Sequence, residues 1–261
     1  MIKLWEHPLS PYVHKVKIAL YEKNIPFEVG TPQAFTGAPT DYGKANPRLE
    51  VPALVDDGFA IFDSTIILDY IEDKWPTPAL APKVARERAR VRMIEELCDS
   101  YYEAINWGMM EILTWRRASG AAADIIVARA HGQIDGVHAW LERELELRAY
   151  FNGDAFGYGD LCVWPFVKGS EKFGHSPKAG SKLARWLLEA DRRESTRKSL
   201  AAAQEFLASA TAASLPDLLA SGAFKRQYRD HRLEWMIRSG GIDLVVEGMR
   251  KATVRFSEEI A

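Results

Sequence analysis

Cysteine, surplus charge and long apolar runs are all scarce in this sequence. Its 261 residues hold two cysteines, Cys98 and Cys162. Each sits among apolar neighbours in a helical pattern, which reads as a buried, inert thiol. Their separation does not suggest a metal site. Lysine and arginine number 34 against 36 acidic residues, a net charge of −2. That balance gives no electrostatic case for nucleic acid or a membrane surface. Met1-Ile2-Lys3-Leu4-Trp5 lacks the apolar stretch of a signal peptide. No run reaches the roughly 20 apolar residues of a membrane span. The expectation is a cytoplasmic protein with small-molecule or protein partners.

What is present supports a sizeable core, with 47% of residues hydrophobic. The length fits one large domain or two smaller ones. Ile2–Trp5 reads as a short strand. His7-Pro8-Leu9-Ser10-Pro11 is turn chemistry. Val13, Val16, Ile18, Ala19 and Leu20 then carry helical spacing, with Pro11 tolerated in the first turn. Pro26 ends that helix, and residues 27–29 form a second strand. Residues 30–46 read as an irregular loop with one helical turn. The apolar runs 51–55 and 59–62 flank Asp56-Asp57-Gly58, a strong hairpin signal. Asp63-Ser64 caps a helix over 65–74, whose Ile66, Ile67, Tyr70 and Ile71 form one face. The order is βαβ, loop, ββα.

The proline-rich stretch 75–82 divides the chain. Residues 1–76 form the first domain, 77–82 the linker and 83–261 an all-helical domain. Ile94, Leu97, Cys98, Tyr101, Ile105, Met109 and Ile112 share one helix face. In 121–148, Ile125, Ile126, Ala130, Ile134, Val137, Leu141 and Leu145 point inward. Residues 161–173 give a third helix. The fold class is α+β followed by an all-α bundle.

Three motifs punctuate this order. Ser10-Pro11-Tyr12 lies between the first strand and helix. Asn46-Pro47-Arg48-Leu49-Glu50-Val51-Pro52-Ala53-Leu54 leads into the hairpin, and Asp63-Ser64 opens the next helix. Together they resemble the glutathione S-transferase superfamily over residues 1 to 211, with the serine motif like tau, theta and omega relatives. The resemblance implies a thioredoxin-like N-terminal domain that binds glutathione as co-substrate, no metal, a small electrophilic acceptor and a homodimer. It assigns Ser10 and Tyr12 to catalysis. Pro11, Arg48, Glu50, Val51, Pro52, Asp63 and Ser64 would hold glutathione. The Val51–Pro52 bond is cis in such relatives, leaving the Val51 backbone to pair with the cysteinyl unit like an added strand. Ser64 and the helix N-terminus would take the γ-glutamyl carboxylate, and Asp63 the ammonium. An acidic residue at Asp99 contacts that end across the dimer in some relatives.

The chain also departs from that pattern. Glu50 stands where relatives carry Lys, Gln or His facing the glycyl end, and Leu49 stands where Gly is frequent. A carboxylate there would repel the glycyl carboxylate unless Arg48 or Lys44 compensates or Glu50 points to solvent. Phe156-Gly157-Tyr158-Gly159-Asp160 resembles the capping box of a buried helix, with Gly157 in place of Ser or Thr.

The chemistry at Ser10 follows from elementary values. A free thiol has a pKa of about 8.5, so little is thiolate at neutral pH. A hydrogen bond to the anion contributes roughly 1.5–3 kcal/mol and a helix N-terminus about 0.3–1 kcal/mol. Cysteine at position 10 would support disulfide exchange; serine can only stabilise the ligand's thiolate. An ordinary N-cap serine fits the same residues. Tyr101, Tyr102, Trp107 and Trp115, with Met109 and Met110, would wall an apolar acceptor site; core or dimer packing fits them equally. Beyond residue 215, Phe224, Tyr228, His231 and Trp235 recur at helical spacing, with Lys225, Arg226, Arg229 and Arg232 as a basic face. This reads as a lid over the acceptor or as a packed helix with a solvated face. The expected activity is glutathione transfer, and a non-catalytic scaffold of the same fold is the alternative.

Overall fold

A computed structural model describes residues 1–32, 41–209, 230–251 and 253. Phe224, Lys225, Arg226, Tyr228 and Arg229 lie outside these. Strands β1 (Ile2–Trp5), β2 (Phe27–Gly30), β3 (Ala53–Asp56) and β4 (Phe59–Phe62) form one sheet in the order β2-β1-β3-β4. β1 and β2 are parallel; the other pairs are antiparallel. A parallel pair needs a crossover, and α1 (Pro11–Glu22) supplies it. Asp56 pairs with Phe59, leaving Asp57 and Gly58 as a two-residue turn with φ of 48° and 89°. Two positive φ values mark the tight hairpin turn that Asp-Gly favours.

Strand alternation sorts the side chains. Ile2 and Leu4 join Val16, Leu20, Leu54, Ile67 and Ile71 in one core, whereas Trp5 packs with Tyr42, Ala45 and Ala53. So α1 and α3 (Ser64–Lys74) cover one sheet face, and the short α2 (Asp41–Ala45) covers the other. This is the thioredoxin-like arrangement.

The rest is helical: α4 (Ala85–Leu97), a π-helical turn (Cys98–Tyr102), α5 (Glu103–Leu113), α6 (Ala121–Leu145), α7 (Tyr158–Lys172), α8 (Lys182–Asp191), α9 (Glu194–Ser209), α10 (His231–Arg238) and α11 (Ile242–Arg250). No helix among the described residues is long and apolar enough to cross a membrane. Every residue of α7 from Tyr158 to Val167 is buried, and the helix is the centre of the bundle. The same core takes in Ile18 and Ala19 of α1 and Leu68 of α3, so the sheet-bearing and helical parts share it. Both cysteines are buried and free. On α6 the inward face runs from Ala130 to Leu145, but Ile125 and Ile126 are exposed, contrary to the periodicity. There α6 turns Ala123 and Val127 to an open cleft against α5 instead.

The glycine at position 157 has a packing cause. A Cβ there would collide with the Leu80 carbonyl oxygen and the Asn152 amide. That carbonyl accepts the Tyr158 N–H at 2.9 Å. Asp160 does the capping alone, accepting from the backbone N–H groups of Gly157 (3.0 Å), Phe151 (2.8 Å) and Asn152 (3.3 Å) and from Trp186 Nε1 (2.7 Å). Burial pushes its carboxyl up to about 6, against these four donors. Serine is a favoured N-cap elsewhere, yet Gly157→Ser should destabilise the protein by about 1–3 kcal/mol through overpacking. Urea denaturation measures this, and an unchanged midpoint would refute the steric cause.

Candidate functional site

The N-terminus of α1 is built by the turn that leaves β1. Ser10 N–H donates to the His7 carbonyl at 2.9 Å. The Ser10 hydroxyl oxygen accepts the Val13 N–H at 3.4 Å, so the residue caps α1 with Pro11 next. Its own hydrogen meets no acceptor among the described residues and can donate outward. Phe206 of α9 packs edge-on to His7 at 5.0 Å, supporting the turn from the helical side. Further along α1, His14 Nδ1 lies 2.7 Å from Ser199 Oγ, and burial, then Lys17, lowers the imidazole to about 4.

Tyr12, expected in catalysis beside Ser10, reaches the helical part of the chain. Its hydroxyl donates to the Asp99 backbone carbonyl at 2.6 Å, and its ring meets Phe166 edge-on. It anchors α1 to the helical part.

Lys15 carries the main polar cluster. Its side chain is fully buried. Nζ donates to Glu95 Oε1 (2.7 Å), Asp99 Oδ2 (2.5 Å) and Ser64 Oγ (3.2 Å). Burial alone would lower its pKa, but the two carboxylates raise it and keep it charged. Glu95 also accepts from Thr65 Oγ1 at 2.9 Å and from Arg92 at 2.5 Å. Burial works against its charge, but Lys15 and Arg92 hold the carboxyl at about 2. Asp99 is pushed up to about 6, first by burial and despite Lys15. Its Oδ1 is buried without a hydrogen-bond partner among the described residues. Asp99 sits on the π-helical turn, a feature that often marks functional sites.

The loop before β3 is held by Asn46, which is buried. Its Nδ2 donates to the Glu50 carbonyl at 2.6 Å and its Oδ1 accepts the Arg48 N–H at 2.9 Å. Leu49 adopts φ 56°, the left-handed region that a glycine would take at no steric cost. The Val51–Pro52 peptide is cis. Neither backbone polar group of Val51 is hydrogen-bonded among the described residues, and β3 pairing starts at Ala53. The Glu50 charge is met by Arg48, whose Nη2 lies 3.0 Å from Oε2. Lys44 pairs with Asp41 instead, at 3.0 Å.

At the start of α3, Asp63 is the N-cap; its Oδ1 accepts the N–H groups of Thr65 (3.0 Å) and Ile66 (3.3 Å). Ser64 is the first helical residue, buried, with its oxygen on Lys15. Ser10 heads α1 and Ser64 heads α3, and Lys15 of α1 ties Ser64 to Asp99.

The acceptor wall is only partly as expected. Tyr102 is wholly buried, its hydroxyl 2.7 Å from both His138 Nε2 and Ser170 Oγ. It is a core residue because the π-helical turn brings positions 98, 102, 105 and 109 inward. Tyr101, Trp107 and Trp115 are half-buried. An open cleft of about 510 Å³ between α5 and α6 is lined by Ile112, Leu113, Arg116, Val127 and His131 among others, and by none of the four predicted residues. Sequence reading missed Lys15. The available signal was a lysine amid apolar positions of α1, with Glu95 and Asp99 one helical turn apart.

Comparison with known proteins agrees with this architecture. The family model for the glutathione S-transferase N-terminal domain matches residues 4–79. A maleylacetoacetate isomerase from Mus musculus is 31% identical over 169 residues, 61% of this chain and 73% of that protein. The crystal structure of a glutathione S-transferase from Rhodospirillum rubrum superimposes with a TM-score of 0.68 at 25% identity, over 77% of this chain and 92% of that one. A theta-class glutathione S-transferase from Xanthomonas axonopodis pv. citri, solved with glutathione bound, gives 0.66 at 22% identity, over 76% and 96%.

Two outcomes follow from the cluster and the loop. Folding depresses the Glu95 carboxyl from 4.5 to about 2, so its contribution is full above pH 4.5 and is lost as pH falls toward 2. Glu95→Gln should cost about 3 kcal/mol near neutrality and flatten the acid limb of stability. Melts across pH 2 to 7 read this; an unaltered acid limb would remove Glu95 from the account. Leu49→Gly should stabilise by about 0.5–1 kcal/mol by relieving the left-handed backbone, and a lower melting temperature would contradict it.

Proposed function

This chain belongs to the glutathione S-transferase superfamily, and we propose that it binds glutathione between Ser10, Val51 and the first turn of α3 and transfers its thiolate to a small electrophile. The observation that carries the reading is the Ser10 hydroxyl. It accepts from Val13 at the head of α1 and keeps its hydrogen for an anion. A thiolate placed there gains that hydrogen bond and the helix N-terminus together. The backbone of Val51 supports the cysteinyl unit, as a strand edge takes an added strand. The first turn of α3, where the Ser64 hydroxyl oxygen accepts from the Lys15 ammonium, takes the γ-glutamyl carboxylate, and Asp63 takes its ammonium. The bound peptide of the theta-class relative supports this choice of ligand.

The step balances without a metal or a covalent protein intermediate. The thiol proton leaves to water, and the thiolate forms a new C–S bond with the electrophile. A leaving group then departs with its electron pair, or an activated alkene takes the electrons and a proton. The protein supplies proximity and anion stabilisation. The acceptor lies along the π-helical turn and α5, where the half-buried rings of Tyr101, Trp107 and, just past α5, Trp115 offer an apolar surface.

Ser10→Ala should lower kcat/KM for conjugation of an aromatic halide about 10- to 100-fold, the loss of one hydrogen bond to an anion. The pH–rate profile should move to higher pH as the thiol pKa rises. Unchanged rates with intact folding would eliminate Ser10 as the thiolate donor. A calorimetric titration in which millimolar glutathione fails to bind would instead favour a non-catalytic scaffold.

A further inference from the structure

One contact joins the C-terminal extension to the loop before β3. Arg48 Nη2 lies 3.1 Å from Nε2 of His231, the first residue of α10. The same Nη2 is 3.0 Å from Glu50 Oε2. Arginine has donors only, so His231 Nε2 accepts and the ring proton sits on Nδ1. Asp230 caps α10 by accepting the Leu233 N–H at 2.7 Å, which fixes where His231 stands. On the other side, Asn46 clamps the backbone of Arg48 and Glu50. The guanidinium is thus held at one nitrogen by two partners from different parts of the chain. Its side chain is 43% exposed, so solvent and a ligand can reach it.

We infer that His231 is a positioning residue: with Glu50 it aims Arg48 at the terminal carboxylate of the bound thiol peptide, and α10 is thereby part of the site. This rests on the glutathione reading. With the thiol at Ser10, the cysteinyl unit on Val51 and the γ-glutamyl end at α3, an extended tripeptide runs its glycyl end back past Glu50 and Arg48. Glu50 alone would repel that carboxylate. Paired with Arg48, it is neutralised and orients the fork instead. Arginine has a long, entropy-rich stem, so a receptor built on it needs holding. Glu50 supplies one hold and His231 the other.

The test uses the full chain, calorimetry and two ligands: glutathione, and glutathione with its glycyl carboxylate converted to the amide. His231→Ala should raise Kd for glutathione about 5-fold and leave Kd for the amide within about twofold. His231→Gln keeps an acceptor for the guanidinium and should bind glutathione within about twofold of the unaltered protein. His231→Lys, which repels Arg48, should behave like the alanine variant or worse. Equal losses for both ligands would reveal a structural role and overturn the inference, as would no change for either. If neither ligand binds the unaltered protein, the glutathione reading itself fails and takes this one with it.

Discussion

A single buried ammonium, that of Lys15, sets the geometry on which the rest depends. Moving an unpaired cation into a protein interior costs several kcal/mol. The chain meets that cost with Glu95, Asp99 and Ser64, which arrive from α4, the π-helical turn and α3. The consequence reaches the site. Asp99 receives Lys15 on its side chain and Tyr12 on its carbonyl, so one residue grips α1 twice. Ser10 lies two residues before Tyr12, and Ser64 is bonded to Lys15 directly. The heads of α1 and α3 are therefore aligned through the helical part, although both belong to the sheet-bearing part. A site of this kind forms only when the two halves are docked, and the shared core of Ile18, Leu68, Leu80 and α7 keeps them so.

How far the structure could be read from sequence depends on the range of the interaction. Local chemistry was legible. Asp57-Gly58 announces its turn, Pro26 ends α1, and Asp63 caps α3, because each is decided within a few residues. The helical part is legible as helices because its apolar residues recur at helical spacing. The failures are those of register and distance. Ordinary helical spacing puts Tyr101 on the inward face with Ile94, Cys98 and Ile105. The π-helical turn widens one turn, so Tyr102 goes into the core and Tyr101 to its edge. Lys15 was invisible because its partners lie 49 to 84 residues away. The reach of the Tyr12 hydroxyl to Asp99, 87 residues on, is equally a matter of the fold.

The departures from the family pattern are explained by their surroundings. Gly157 replaces a capping hydroxyl because the Leu80 carbonyl occupies the room, and Asp160 caps alone. Leu49 occupies a left-handed position that suits glycine, yet it is more than half exposed, so its side chain asks nothing of the core and the cost stays local. Glu50 is the most consequential. A carboxylate there reads as hostile to an anionic ligand while it is considered by itself. Arg48, two residues earlier, cancels its charge, and Asn46 holds the backbone of both. The local charge is then set by the pair and not by the acid. Where a motif residue changes, the unit to judge is the residue with the groups that its new chemistry recruits.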